Sequence, residues 1–285
     1  MTDASIDQDA SIAEDASIAL ADIAEIAARE AGAVAAEGFR TPGLEFSAKS
    51  NLHDFVTEYD RRSEIRAREV LAERSPGSRI VGEEDGETGE GSLTWYVDPI
   101  DGTSNFARGI ALWSVCIAAV RDGEVVAGIV YDPIADHMFR ADARGAFLNG
   151  EPIRAEGMTQ PERATVLATF PPAAMLTTSR TEKLEAHAEL QDSYSHVRDF
   201  GSAAIGLCHV AAGWADAAFG FGIHAWDVAA GSLILRRAGG VYRGYADGEA
   251  QPRDADYLHR HYCGTVADAE FPLLDSIMRL QTRDG

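Results

Sequence analysis

Apolar positions along this chain switch repeatedly between helical and strand-like spacing. Ile18, Ile23, Ile26, Ala27, Ala31 and Val34 recur at helical intervals, and Gly38 marks a stop. Residues 57–74 predict a second helix, charged on one side and carrying Ile65, Val70 and Leu71 on the other. A short strand over 78–81 leads into Gly82-Glu83-Glu84, and the polar, glycine-rich stretch 86–92 predicts a flexible loop. Trp95-Tyr96-Val97 reads as a buried strand that delivers Asp98 to a sheet edge. Strands follow over 113–120, 125–131 and 137–140, and Asn149-Gly150 after 146–148 signals a hairpin. Beyond them lie a strand over 165–169, a polar helix over 181–191, a helix over 202–212 and a strand over 215–219. A helix over 228–238 is stopped by Gly239-Gly240, and another over 271–280 closes the chain.

Such alternation predicts an α/β or layered α+β fold. No linker of disordered composition interrupts it, so 16–285 reads as one domain of two tightly joined subdomains, divided near 150–165. Residues 1–15 repeat Asp-Ala-Ser-Ile from Asp3, Asp9 and Asp15 and predict an acidic, weakly ordered tail.

Composition narrows the classes of partner. With 285 residues, 46% of them hydrophobic, the chain can bury a sizeable core. It has no apolar run of about 20 residues, which argues against a membrane span. An N-terminus without basic and apolar signal regions argues against secretion. Cys116, Cys208 and Cys263 are far apart and lack metal-ligand spacing, so reduced core thiols in a cytoplasmic protein are expected. A formal charge of −21 disfavours nucleic-acid backbones and anionic membranes. A small anionic substrate is still compatible, because bound cations can reverse the local sign.

The candidate chemistry centres on Asp98-Pro99-Ile100-Asp101-Gly102-Thr103. Two carboxylates stand three residues apart, Pro99 fixes φ and removes a donor, and Gly102-Thr103 lets the backbone turn and present amides to an anion. Hard oxygen ligands beside such amides suit Mg²⁺ chemistry on a phosphate ester. The same residue types also dominate ordinary surface turns. Three further acidic segments occur at turn or strand-end positions: 54–60, Gly82-Glu83-Glu84, and His224-Ala225-Trp226-Asp227. Taken singly each has a plainer reading: Asp227 as a helix cap, Glu83-Glu84 as a solvated loop, His224 as a structural histidine.

In their joint order these segments resemble the inositol monophosphatase family. The resemblance rests on Lys49, Asp54-x-x-Thr57-x-x-Asp60, Gly82-Glu83-Glu84, Asp98 through Phe106, Gly201-Ser202-Ala203-Ala204, Trp226-Asp227-Val228-Ala229-Ala230-Gly231 and Ala238-Gly239-Gly240. It implies an αβαβα sandwich, usually a homodimer, that hydrolyses phosphate monoesters with two or three Mg²⁺ ions. Carried over, Glu83, Asp98 and the Ile100 carbonyl would hold one ion, and Asp98, Asp101 and Asp227 a second. Glu83 would sit beside the attacking water, and Thr103, oriented by Asp60, would help take its proton. Gly102 and Thr103 would bind phosphate oxygens, while Gly201, Ser202, Ala203 and Asp227 would contact the substrate. The physics is consistent, since two carboxylates about 4 Å apart repel by about 4 kcal/mol at an effective dielectric near 20. Divalent cations would neutralise such a cluster.

The alcohol is less closely defined. Inositol 1-phosphate is the default that the resemblance implies, with histidinol phosphate or a sugar phosphate as alternatives. Enzymes that read inositol hydroxyls carry a glutamate seven residues before the last metal aspartate, and here that position is Gly220. Phe219 and Phe221 beside it read as strand packing or as a substrate wall. Two other classes fit less well. Haloacid-dehalogenase-like phosphatases space their aspartates two apart and near the N-terminus. A non-catalytic binding protein is disfavoured because every matched ligand position is intact.

Overall fold

The computed structural model describes residues 3–42, 46–48 and 55–280. Helix α1 (Asp3–Gly38) opens the chain and is longer than its apolar spacing from Ile18 predicts, for it begins within the Asp-Ala-Ser-Ile repeats. Leu20, Ala21, Ala24, Ala27, Ala28, Ala31 and Ala35 form a buried stripe on it, and their small side chains permit close packing. Strands β1 (Phe46–Ala48) and β2 (Phe55–Thr57) pair as a small ribbon. Helix α2 (Glu58–Arg74) starts at a capping box in which Thr57 and Asp60 bond reciprocally. Its buried face carries Asp60, Ser63, Glu64, Ala67, Val70 and Leu71, whereas Ile65 is 47% exposed. The predicted apolar side is thus rotated, because Ser63 and Glu64 find buried partners that an apolar pattern does not reveal.

Strands β3 (Arg79–Gly82), β4 (Gly86–Thr88), β5 (Leu93–Asp101), β6 (Ser114–Arg121), β7 (Glu124–Asp132), β8 (His137–Asp142), β9 (Gly145–Leu148) and β10 (Glu151–Pro152) build the first sheet. Its order is β10-β9-β8-β7-β6-β5-β3-β4. The predicted loop over 86–92 therefore contributes a strand, because exposed polar residues pair their backbone with β3 as an edge. Between β5 and β6 the short helix α3 (Thr103–Ala107) follows the acidic hexapeptide.

The second sheet comprises β11 (Thr165–Ala168), β12 (His196–Arg198), β13 (Ala217–Phe221), β14 (Val241–Ala246), β15 (Glu249–Ala250) and β16 (His261–Thr265), in the order β12-β11-β13-β16-β14-β15. Helices α4 (Arg180–Ser193), α5 (Ala203–Ala211), α6 (Ala225–Arg237) and α7 (Pro272–Arg279) complete the chain. Helices α5 and α6 fill the space between the sheets. A Cβ on Gly128 of β7 would lie 3.0 Å from Ala230 of α6, so glycine is what lets that helix reach the first sheet. Leu190 and Tyr194 of the α4 region pack with Phe271, Leu274 and Ile277 on the outer side. The result is the expected αβαβα layering. No helix among the described residues is long and apolar enough to cross a membrane.

Candidate active site

Strand β5 carries the acidic hexapeptide, but as an interior strand between β6 and β3 and not as a sheet edge. The parallel neighbour β3 stops pairing at Gly82 opposite Val97, so Asp98 to Asp101 are paired on the β6 side alone. There the register shifts between Asp98, opposite Cys116, and Asp101, opposite Ser114. Pro99, with no N–H to donate, sits inside that irregularity. The bulge is anchored from below by Ile100, which is fully buried with Ala35, Phe106 and Trp113. Phe106 and Trp113 meet edge to face at 5.0 Å, and Phe39 lies 5.8 Å from Phe106.

Gly102 adopts φ 94°, and a Cβ there would meet the Leu112 carbonyl oxygen at 2.9 Å. The turn therefore requires glycine on grounds of both conformation and space. Asn105 fixes the next segment by donating Nδ2–H to the carbonyls of Leu112 and Phe200, each at 2.7 Å. It thereby ties the hexapeptide to the loop that carries Gly201.

The four acids are held in different ways. Asp98 Oδ1 accepts from the Ile100 N–H at 2.9 Å. Asp101 lies at the N-terminus of α5, where its Oδ2 accepts from the Ser202 hydroxyl and from the Ala204 N–H at 2.9 Å. Its Oδ1 accepts more weakly from the Ala203 N–H at 3.4 Å. Asp227 lies in the first turn of α6, where its Oδ2 accepts from the His224 N–H at 2.7 Å, and it shares the cleft with Asp98. Helix α6 starts at Ala225 and not at Val228, because this capping box moves Asp227 inside the helix. Glu83 follows the last residue of β3, with its N–H donating to the Val97 carbonyl at 3.2 Å.

All four carboxylates line one cleft of about 390 Å³, together with Ile100, Gly102, Thr103, Gly201, Ser202 and Ala203. No Lys, Arg or His is among the described residues that line it. Burial, reinforced by Glu83, Asp101 and Asp227, pushes the Asp98 carboxyl far above the usual range. Burial also raises Asp227, with Asp101 as the next cause. Asp101 is pushed up only to about 6, because the Ser202, Ala204 and Ala203 donors offset part of its burial. Buried acids that share a cleft resist ionising together, and a cation lying among them relieves that cost. Among the described residues no three His, Cys, Asp or Glu side chains form a closed ligand set. The donor chemistry nevertheless fits hard divalent cations, for it offers carboxylate oxygens and a main-chain carbonyl on a shared cleft.

Thr103 Oγ1 donates to the Ile100 carbonyl at 2.9 Å, which leaves that oxygen a second lone pair. Asp60 is fully buried, with its Oδ2 accepting from the Thr57 N–H at 2.8 Å and the Thr57 hydroxyl at 2.6 Å. Ser202 turns its hydroxyl toward Asp101, so part of the Gly201-Ser202-Ala203 segment supports a carboxylate. Lys49 and Asp54 lie outside the described residues. Phe219 and Phe221 alternate with Gly220 along β13 and pack with Phe170 at 5.9 and 5.7 Å.

Two contributors were not evident in the sequence. Glu64, fully buried on α2, accepts from the Glu84 N–H at 2.7 Å, the Asp85 N–H at 3.0 Å and Arg68 Nε at 2.7 Å. It therefore fixes the turn that carries Glu83, and in the sequence it is only a charged residue at helical spacing from Ala67 and Leu71. Tyr262 on β16 lies beside Gly220 in the cleft, and burial together with Asp101 raises its phenol above the ordinary range. The 261–265 segment, His-Tyr-Cys-Gly-Thr, has no alternation of polarity and gives little warning of a strand.

With this geometry in place, the comparisons with known proteins agree. The model of the inositol monophosphatase family matches residues 19–270, and the chain belongs to that family. A protein named Nus factor SuhB from Pasteurella multocida is 39% identical over 224 residues, which cover 77% of this chain and 83% of that one. One named fructose-1,6-bisphosphatase/inositol-1-monophosphatase from Aquifex aeolicus is 34% identical over 228 residues, covering 78% and 84%. Among solved structures, the extragenic suppressor protein suhB from Bartonella henselae superposes with a TM-score of 0.79 at 28% identity, covering 94% of this chain and 99% of that one. Inositol monophosphatase from Anabaena gives 0.75 at 28%, covering 93% and 95%.

Proposed function

We propose that this chain is a Mg²⁺-dependent phosphomonoesterase acting on a small phosphorylated alcohol, with inositol 1-phosphate as its reference substrate. The observation that carries this reading is the cleft itself. Glu83, Asp98, Asp101 and Asp227, from three backbone segments, share it with the Gly102-Thr103 turn and without a cationic side chain among its described lining. An anionic ester would be repelled there unless divalent cations come first.

Glu83, Asp98, Asp101, Asp227 and the Ile100 carbonyl are the groups that would hold those ions. When bound, Mg²⁺ supplies Lewis-acid polarisation of the phosphoryl group and raises the acidity of water. The N–H groups of Gly102 and Thr103 orient the phosphoryl oxygens and stabilise charge that develops on them. Glu83 and Thr103 border the place from which water attacks, and Thr103, backed by Asp60, takes part in moving its proton. A P–O bond to water forms as the ester P–O bond breaks, and the alcohol leaves with a proton. Asp227 and the 201–203 segment lie where the alcohol departs. The relatives' names do not agree on one substrate, and histidinol phosphate or a sugar phosphate fits the same chemistry. We read 16–285 as one catalytic unit, joined near 150–165, that acts as a cytoplasmic homodimer.

The test is phosphate release from inositol, histidinol and sugar monophosphates, with Mg²⁺ and with chelator. Turnover of at least one ester that chelator abolishes supports the reading; no Mg²⁺-dependent release from any of them overturns it.

A further inference from the structure

The second-sheet wall of the cleft is built around an absence. A Cβ placed on Gly220 would lie 2.7 Å from Cε1 of Tyr262, so no side chain fits there while that ring is in place. Tyr262 is only 3% exposed and is held by parallel stacking on Tyr242 at 5.9 Å, so the ring cannot easily swing aside. The other side chains beyond the carboxylates offer little to a polyhydroxylated alcohol. Leu167, Pro172, Phe200 and Ile223 are apolar. Thr103, Thr169 and Ser202 are polar, but their hydroxyls already donate to the Ile100 carbonyl, to Asp199 and to Asp101. The Tyr262 hydroxyl has no hydrogen-bond partner among the described residues.

From this juxtaposition we infer that Tyr262 is the specificity-determining residue. It selects a phosphate ester whose alcohol has a flat, sparsely hydroxylated body bearing one hydrogen-bond acceptor, such as a nitrogen heterocycle. The inference rests on the phosphomonoesterase reading above and specifies its substrate. A phenol donor without a partner rewards one matching acceptor, whereas the many hydroxyls of a polyol would be desolvated against the apolar side chains of that wall.

The experiment compares kcat/KM of the full-length protein in Mg²⁺ for 2-(4-pyridyl)ethyl phosphate, 2-phenylethyl phosphate and inositol 1-phosphate. All three are esters of unactivated alcohols, so intrinsic reactivity differs little. The pyridyl ester is expected to exceed inositol 1-phosphate by about tenfold or more, and the phenyl ester by about threefold or more. Tyr262→Phe, which keeps the ring and so the packing, should erase the pyridyl advantage while leaving the phenyl ester within about twofold. Paired replacement, Gly220→Glu with Tyr262→Ala, should shift preference toward inositol 1-phosphate. Equal or better turnover of inositol 1-phosphate by the wild type overturns the inference alone. So does a pyridyl-to-phenyl ratio unchanged in Tyr262→Phe. Failure to hydrolyse any of the esters used here or above removes the phosphatase reading itself, and this inference with it.

Discussion

Asp101 and Glu83 line one cleft and bear the same formal charge, yet the fold secures them in opposite ways. Asp101 ends an interior strand and rests on the start of α5, with the Ser202 hydroxyl and the Ala204 N–H on one oxygen. Its anchoring is local to the cleft and doubles as electrostatic support, which is why its carboxyl is less perturbed than that of Asp98. Glu83 stands at the end of β3, beside the edge strand β4, and owes its position to residues that never reach the cleft. Glu64 grips the two N–H groups that follow it, and Arg68 braces Glu64 while also reaching the Gly86 carbonyl. The difference teaches that the strand interior supplies charge already fixed, whereas the edge needs a buried clamp to achieve comparable precision.

The largest effect expected from breaking this contrast is at Asp98, which lies between the two arrangements. Asp98→Asn should lower turnover by about a thousandfold or more, while metal-free thermal stability stays equal or rises as like-charge repulsion is relieved. Steady-state kinetics and melting in chelator check both halves of that statement. Thr103→Ala is expected next, lowering kcat by about a hundredfold with KM changed by less than about threefold. A change confined to KM would make Thr103 a binding group only.

On the edge side, Glu64→Ala should cost about 3 kcal/mol of stability, because Arg68 and two backbone donors lose their buried acceptor. Glu64→Gln keeps one acceptor and should fold. It is expected to weaken Mg²⁺ binding by about tenfold and to speed amide exchange over 83–86, leaving 98–106 unaffected. Equal protection of the two regions in both proteins would show that the clamp does not position Glu83.

The smallest effect is remote from the cleft. His209 packs against Trp214 and Phe200, and burial, followed by nearby His137, lowers its pKa to about 4. Between that value and the ordinary 6.5 the unfolded chain binds the extra proton, so stability is full above pH 6.5 and falls as pH drops toward 4. The loss should be on the order of 2 kcal/mol, and it should shrink in His209→Gln when denaturant midpoints are compared across that range.

How far the sequence foretold this site follows the same division. The interior elements were legible because strong apolar spacing and punctuating residues coincide: β5 to β9, the Asn149-Gly150 turn, and glycine at 102. The acidic cleft was legible because four short motifs occur in a recognisable order. What escaped was set by tertiary partners. Glu64 looks like any charged helical residue until the turn above it is seen. Asp227 reads as a cap in front of α6, whereas its bond to the His224 N–H places it within the first turn. The strand over 86–88 depends on pairing with β3, and exposed polar residues give no periodic sign of that. Ser202 lines the cleft where the sequence expects it, but the donation of its hydroxyl to Asp101 is visible only in the fold.

The most direct test of the central claim is calorimetric titration of the chelator-treated, full-length protein with Mg²⁺ alone, beside Asp98→Asn. Gathering of the four carboxylates predicts saturable uptake of at least two ions by the wild type, with a rise in melting temperature that follows the binding curve. That uptake should be reduced to one weak site or none in the variant. Absence of saturable binding, or binding that Asp98→Asn leaves unchanged, would contradict the account.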